Sequence, residues 1–306
     1  MLRIVVVGDR DSGRTTFLGL LYIAQVKSGS DPADTFRFHA TIDSMEEISA
    51  LFQRLMSGSF PDAATKEGIH EMNVHLGYRG RGAKLLSRLR SQEWNPEDYA
   101  TVRFLLPRTL DEDVSRFLKG SSIIGDRLRE TLEGDAIVIL VDSTKLGASA
   151  KDTEDGTMKE YDAALDAYLT ASERWRPRGD RTPLYPIFIL SKFDRVNRKV
   201  LRAAKVEESP PPAGRKGPRA AYAEALLGSN LPKTLKKVKA RARTGLAFAP
   251  PAYFFSWVGT ERSSPGRSEK IRLHQTPSSG WEPEYSRDEY LALLEFIWDV
   301  AAHFRG

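Results

Sequence analysis

Leu2-Arg3-Ile4-Val5-Val6-Val7-Gly8-Asp9-Arg10-Asp11-Ser12-Gly13-Arg14-Thr15-Thr16-Phe17 is the stretch whose reading decides the fold. Leu2 to Val7 form an apolar, β-branched run, the signature of a strand buried on both faces of a parallel sheet. Beyond the glycine-punctuated loop, Phe17, Leu20, Leu21 and Ala24 recur at helical spacing, so a strand feeds a helix through that loop. Three later runs share the buried-strand character: Ala136 to Val141, Pro186 to Leu190 and Ala252 to Phe255. Strands alternating with helical stretches require crossover connections and predict a mostly parallel sheet.

Two further runs, Ile69 to Tyr78 and Ala100 to Leu106, suit an antiparallel edge, which would make the sheet mixed. A strand is expected at Phe36 to Ile42. A helix should follow from Met45 to Met56, opened by Ser44 with Glu47 three residues on, the capping-box pattern. Arg79 to Arg90 reads as a loop or short helix. Arg202 to Gly217 reads as a mobile surface loop, with a helix around Ala220 to Leu227. From Arg287 to Phe304, the residues Tyr290, Leu291, Leu294, Ile297, Trp298 and Ala301 share one helical face, the pattern of a terminal helix docked on a sheet.

With 306 residues and 41% hydrophobic content, the chain can bury one sizeable core with insertions. It has no cysteine, which excludes disulfides, thiolate zinc sites and thiol catalysis. The N-terminal apolar run is too short to span a bilayer and lacks a signal-peptide cleavage site, so a cytoplasmic protein with no membrane span is expected. The five histidines show no metal-ligand spacing. The net charge is +5, yet Arg198 to Arg243 alone carries 13 Lys and Arg against three Glu. Solubilising a surface accounts for such a run; nucleic-acid binding is the minority reading, because Tyr222 is its one aromatic available for stacking.

Gly8-Asp9-Arg10-Asp11-Ser12-Gly13-Arg14-Thr15 has the Walker A spacing, with arginine in place of lysine. The amides around Gly8, Asp11, Ser12, Gly13, Arg14, Thr15 and Thr16 would curl about phosphate oxygens, aided by the positive end of the following helix. The Thr15 hydroxyl suits magnesium. A guanidinium is planar and larger than an ammonium, so Arg14 cannot act as the same compact charge between phosphates. A glycine-rich turn that merely joins strand to helix would use the same two glycines.

A second polar motif, Ser191-Lys192-Phe193-Asp194, follows the strand Pro186 to Leu190. The tetrad resembles the Asn/Thr-Lys-x-Asp motif of Ras-like P-loop GTPases and their translation-factor relatives, with serine in the first position. Phe255-Ser256-Trp257-Val258-Gly259 resembles the later loop of that family, whose backbone and serine contact the base. The resemblance runs in family order from Leu2 to about Val258, with the terminal helix also in place. It implies one α/β P-loop NTPase domain of three layers, a mostly parallel central sheet with helices on both faces. Insertions would fall at about 30–64, 79–98 and 198–245, and a docked helix at about 287–304. It gives base recognition to Asp194, a stem packed over the base to Lys192, and supporting contacts to Ser191, Ser256 and Trp257.

Thr65 stands where the family's first switch threonine would close over magnesium, though a solvated loop threonine reads the same way. The family's Asp-x-x-Gly is missing: Leu105-Leu106-Pro107-Arg108-Thr109-Leu110-Asp111 has no glycine in place and no glutamine follows closely, which puts hydrolysis and switching in doubt. Asp142 ends a strand where other P-loop classes hold magnesium; the structural role is favoured. The resemblance therefore implies binding of GTP or GDP with Mg2+, slow GTP hydrolysis and a protein partner such as an activator, exchange factor or effector. Two alternatives stay open: a catalytically inactive nucleotide-binding scaffold, and an ATPase that uses the basic insertion on nucleic acid.

Overall fold

The computed structural model describes residues 1–9, 11–28, 36–61, 70–78, 98–107, 111–120, 125–147, 158–176, 182–245, 247–261, 269–276 and 280–304. In chain order its strands are β1 (Leu2–Gly8), β2 (Phe36–Ala40), β3 (Glu71–Tyr78), β4 (Tyr99–Leu105), β5 (Ala136–Asp142), β6 (Tyr185–Ser191), β7 (Ala252–Phe255) and the short β8 (Thr260–Glu261), β9 (Lys270–Ile271), β10 (Leu273–Thr276) and β11 (Gly280–Pro283). The helices are α1 (Arg14–Ser28), α2 (Ile42–Met56), α3 (Asp111–Leu118), α4 (Asp126–Leu132), α5 (Met158–Trp175), α6 (Arg198–Ala203), α7 (Lys216–Leu227), α8 (Pro232–Thr244) and α9 (Arg287–His303). Two compact units result, one of Met1–Leu2, Thr15–Phe104 and Val258–Gly306, the other of Arg3–Arg14 and Leu105–Trp257.

The second unit holds the parallel sheet in the order β1-β5-β6-β7. Its register sets Val5 beside Ile137, Asp142 beside Ser191 and Leu190 beside Phe255. Parallel neighbours cannot be joined by hairpins, so each connection is a crossover. Val5, Val7, Ile137, Ile139, Phe188 and Leu190 form one buried face with Leu165 and Leu169 of α5, Leu226 of α7 and Val238 of α8. The alternate residues Ile4, Val6, Val138, Leu140, Ile187 and Ile189 are buried as well. A sheet dry on both faces is what the uninterrupted apolar runs require, and each such side chain stabilises the fold by roughly 1.5–3 kcal/mol. The fold is α/β with a mostly parallel sheet, as read from the sequence.

The basic segment is structured. Tyr222 of α7 packs against Phe193 and Phe255 at ring separations of 6.2 and 5.4 Å. Arg219 is buried, donates from Nε to the Tyr253 carbonyl at 2.7 Å and from Nη1 to the Pro211 carbonyl at 2.6 Å, and lies 4.7 Å from the centre of the Phe255 ring. The Tyr222 hydroxyl donates to the Glu207 carbonyl. These anchors overturn the expectation of a mobile loop over 202–217: residues 204–215 form neither helix nor strand, but α7 ties them down. On α8, Lys237 pairs with Asp166, Lys239 with Glu224 and Arg241 with Glu173.

In the first unit β2 and β3 are antiparallel, with Phe36 opposite Tyr78 and Ala40 opposite Val74. β4 lies beside β3. Arg103 grips Glu71 while Thr101 lies against His75, so the contacts run in the antiparallel sense expected of this edge. α2 buries Ile48, Leu51 and Leu55, and a Cβ at Gly19 of α1 would lie 2.4 Å from Leu55 Cδ1, so glycine permits that close approach. α2 starts after Thr41, which makes no side-chain cap. The capping box read at Ser44 is therefore not used: Ser44 sits inside the helix and its Oγ accepts from the Asn73 amide at 3.0 Å. α9 buries Tyr290, Leu294, Ile297 and Ala301 as expected, but Leu293 and Val300 replace Leu291 and Trp298, which are half-buried. The hairpins β8–β9 and β10–β11 were not legible in the sequence.

Candidate functional site

β1 ends at Gly8 and α1 begins at Arg14, so the loop between them occupies the carboxyl edge of the parallel strands, where open α/β sheets place their ligands. Two left-handed residues shape it, Asp11 at φ +60° and Gly13 at φ +86°. Such positive φ values turn successive amides to one side and form an anion-binding concavity. The Ser12 amide donates to the Asp9 carbonyl at 3.0 Å. A Cβ at Gly8 would lie 2.2 Å from Ser12 Oγ and 3.2 Å from Leu140 Cβ, so the first glycine is needed for packing beneath the loop. Ser12 is buried, and among the described residues its Oγ has no hydrogen-bond partner. Thr15 and Thr16 follow in the first turn of α1.

Arg14 does not stand free at the helix start. Its Nη1 donates to the Pro107 carbonyl at 2.5 Å, just beyond the end of β4. Burial lowers its pKa, opposed by Tyr161 and Asp9, and a guanidinium so far above neutrality stays charged. Lys145, in the turn after β5, holds Asp9 with Nζ 2.6 Å from Oδ2. The Tyr161 hydroxyl donates to the Leu140 carbonyl, and burial raises its pKa.

The second motif is fastened to the loop. Ser191 Oγ lies 2.9 Å from the Ser12 carbonyl and 3.3 Å from the Val141 carbonyl, so one hydroxyl proton is shared between phosphate loop and sheet. Lys192 adopts φ +51° and extends Nζ to within 2.7 Å of Asp142 Oδ2. The other Asp142 oxygen accepts from the Thr144 amide and hydroxyl at 3.0 and 2.6 Å. Asp142 is buried, so this carboxylate is satisfied by protein groups alone, in keeping with the structural role read for it. The Phe193 amide donates to the Ser256 carbonyl at 3.0 Å, and the Ser256 amide to the Leu190 carbonyl at 2.9 Å. That exchange seats Ser256, with Trp257 next in sequence, beside Ser191–Asp194. Asp194 is about one-third exposed, with Oδ2 3.8 Å from Arg195 Nε.

Of the residues expected to act, Gly8, Asp11, Ser12, Gly13, Arg14, Ser191, Lys192, Asp194, Ser256 and Trp257 belong to the second unit. Thr65 lies outside the described residues. Sequence reasoning missed Lys145 and the Pro107 carbonyl: the partners Asp9 and Lys145 stand 136 positions apart, and nothing in either local pattern joins them. Among the described residues no group of three or more His, Cys, Asp or Glu could hold a metal ion, and no helix is long and apolar enough to cross a membrane.

No family model matches this chain, and no curated protein matches it. Among solved structures it is similar to the signal recognition particle receptor SRb-GTP/SRX complex from Chaetomium thermophilum, at 11% identity and a TM-score of 0.38, over 87% of this chain and 94% of that one. That degree of likeness assigns neither a family nor a ligand.

Proposed function

We propose that the chain is a divergent P-loop guanine-nucleotide-binding protein of the cytoplasm, built as one G domain with insertions. The observation that carries the reading is the hydrogen bond from Ser191 Oγ to the Ser12 carbonyl. It links the expected base-reading tetrad to the expected phosphate loop, so both ends of one nucleotide would meet a single braced surface. The amides of Asp11 to Thr16 hold the phosphates, Asp194 accepts from the guanine edge, and the Lys192 stem, fixed at its far end by Asp142, lies along the base. The Gly8 and Gly13 backbone geometry fits a phosphate group.

Magnesium, where bound, would neutralise phosphate charge and be held by Thr15, with Thr65 as a second ligand; a hydroxyl plus phosphate oxygens is a usual magnesium set. Hydrolysis of GTP is slow and awaits a protein partner, since the stretch Leu105 to Asp111 lacks the glycine of the Asp-x-x-Gly motif. The bond from Arg14 to Pro107 favours a second reading, an inactive nucleotide-binding scaffold, because it commits the cation at the Walker lysine position elsewhere. Competition of GDP, GTP and ATP for nucleotide-stripped protein, with and without magnesium, tests the proposal. Guanine preference supports it; tight ATP binding, or no binding, refutes it. Multiple-turnover phosphate release lost in Thr15→Ala would then reject the scaffold.

A further inference from the structure

Three cations of this site, Arg14, Lys145 and Lys192, are already engaged. Arg14 at the Walker lysine position is hydrogen-bonded to the Pro107 carbonyl at 2.5 Å. Lys145 lies on Asp9 at 2.6 Å, with both side chains more than four-fifths buried. Lys192 lies on the buried Asp142 at 2.7 Å. The loop also carries a carboxylate of its own at Asp11, exposed and in the left-handed region. The amides and the helix start can therefore serve phosphate oxygens, but each further phosphate adds negative charge near Asp11, while Arg14, Lys145 and Lys192 are held on other groups.

We propose that this site takes a nucleoside diphosphate in preference to the triphosphate, the Arg14–Pro107 bond withholding the guanidinium that a third phosphate needs. The inference rests on the guanine-nucleotide reading above and names the charge state of its ligand. A guanidinium fork is rigid, so the bond from Nη1 to the Pro107 carbonyl orients the whole group, and turning Nη1 to a β,γ-bridging position requires releasing Pro107. A diphosphate bound by backbone amides makes no such demand.

Calorimetric titration of the full chain with GDP and with a non-hydrolysable GTP analogue, at one magnesium concentration, tests it. GDP should bind about tenfold tighter or more, the factor one charge-assisted hydrogen bond sets. In Arg14→Lys, whose compact ammonium has no fork to lock on the carbonyl, the ratio should narrow towards unity. Asp11→Asn, at an exposed position whose φ asparagine tolerates, should tighten the triphosphate more than the diphosphate. An analogue that binds the unaltered protein as tightly as GDP overturns this inference alone, as does a ratio that neither variant moves. Binding of neither nucleotide overturns the guanine-nucleotide reading itself.

Discussion

Ser191 Oγ and the Ser12 carbonyl stand 2.9 Å apart although 179 positions separate them in the chain. One buried hydroxyl thus closes the loop after β1 onto the end of β6. Ser191→Ala removes the donor and leaves the Ser12 carbonyl short of a partner, so it should cost about 1 kcal/mol of stability. The same change should weaken nucleotide binding, because the loop loses its brace. Urea denaturation and nucleotide titration of the same variant check both effects; unchanged affinity with lowered stability would confine Ser191 to a structural role.

Gly8 and Ser12 should be coupled. Gly8→Ala places a methyl 2.2 Å from Ser12 Oγ, an overpacking that costs roughly 1–3 kcal/mol. Ser12→Ala removes a buried hydroxyl that has no partner among the described residues, so alone it should be neutral or stabilising. The double variant should then lose less than the two single effects predict, a positive coupling readable in a double-mutant cycle. Strict additivity would mean that the clash is relieved elsewhere.

Asp142 accepts from Lys192 and twice from Thr144. Asp142→Asn keeps the volume but removes the charge and turns a donor towards one of these groups. About 2 kcal/mol of stability should be lost, below the figure for a fully buried ion pair because Lys192 is one-third exposed. Thermal denaturation of this variant beside Lys192→Met separates the two partners: Lys192→Met should cost as much or more, since it leaves the buried Asp142 carboxylate without its counter-charge.

Glu71 carries the clearest acid sensitivity. Its pKa is lowered from 4.5, first by the Arg103 hydrogen bond and further by Asn73, against burial, which raises it. A depressed carboxyl pKa contributes stability that is complete above the unfolded value and is lost as pH falls through the folded one. The contribution should therefore be present at neutral pH and fade below pH 4.5. Arg103→Met should reduce stability at about pH 7 and by less at an acid pH below the folded value, where the carboxyl has taken up its proton in both states. Denaturant midpoints at the two pH values check the sign.

Arg219 should matter more than its place in a basic run suggests. Arg219→Met keeps an apolar stem but abandons the Tyr253 and Pro211 carbonyls, at a cost of about 2 kcal/mol or more. Limited proteolysis should then cut the variant within residues 204–215 and spare that segment in the unaltered protein.

The parallel core was legible because strands dry on both faces leave continuous apolar runs, and β1, β5, β6 and β7 all fall where those runs lie. The glycine spacing of Gly8 and Gly13 was legible because backbone conformation constrains residue type. Local patterns misled where tertiary contacts outweighed them. Ser44 has the chemistry of a cap but is claimed by the Asn73 amide, and the proline-rich 204–215 segment has the composition of a mobile loop but is held by Arg219 and Tyr222. The Arg14–Pro107 and Asp9–Lys145 contacts could not be read at all, since each joins side chains or carbonyls across long stretches of chain whose local sequence carries no trace of the partner.

The most direct test of guanine-nucleotide binding is the base preference of Asp194→Asn. An asparagine amide cannot accept from the guanine edge as a carboxylate does, but it can donate to the extra carbonyl of xanthine. Titration of the unaltered protein and of this variant with GDP and XDP should show guanine preferred by the first and xanthine by the second. The same preference in both proteins would contradict the account.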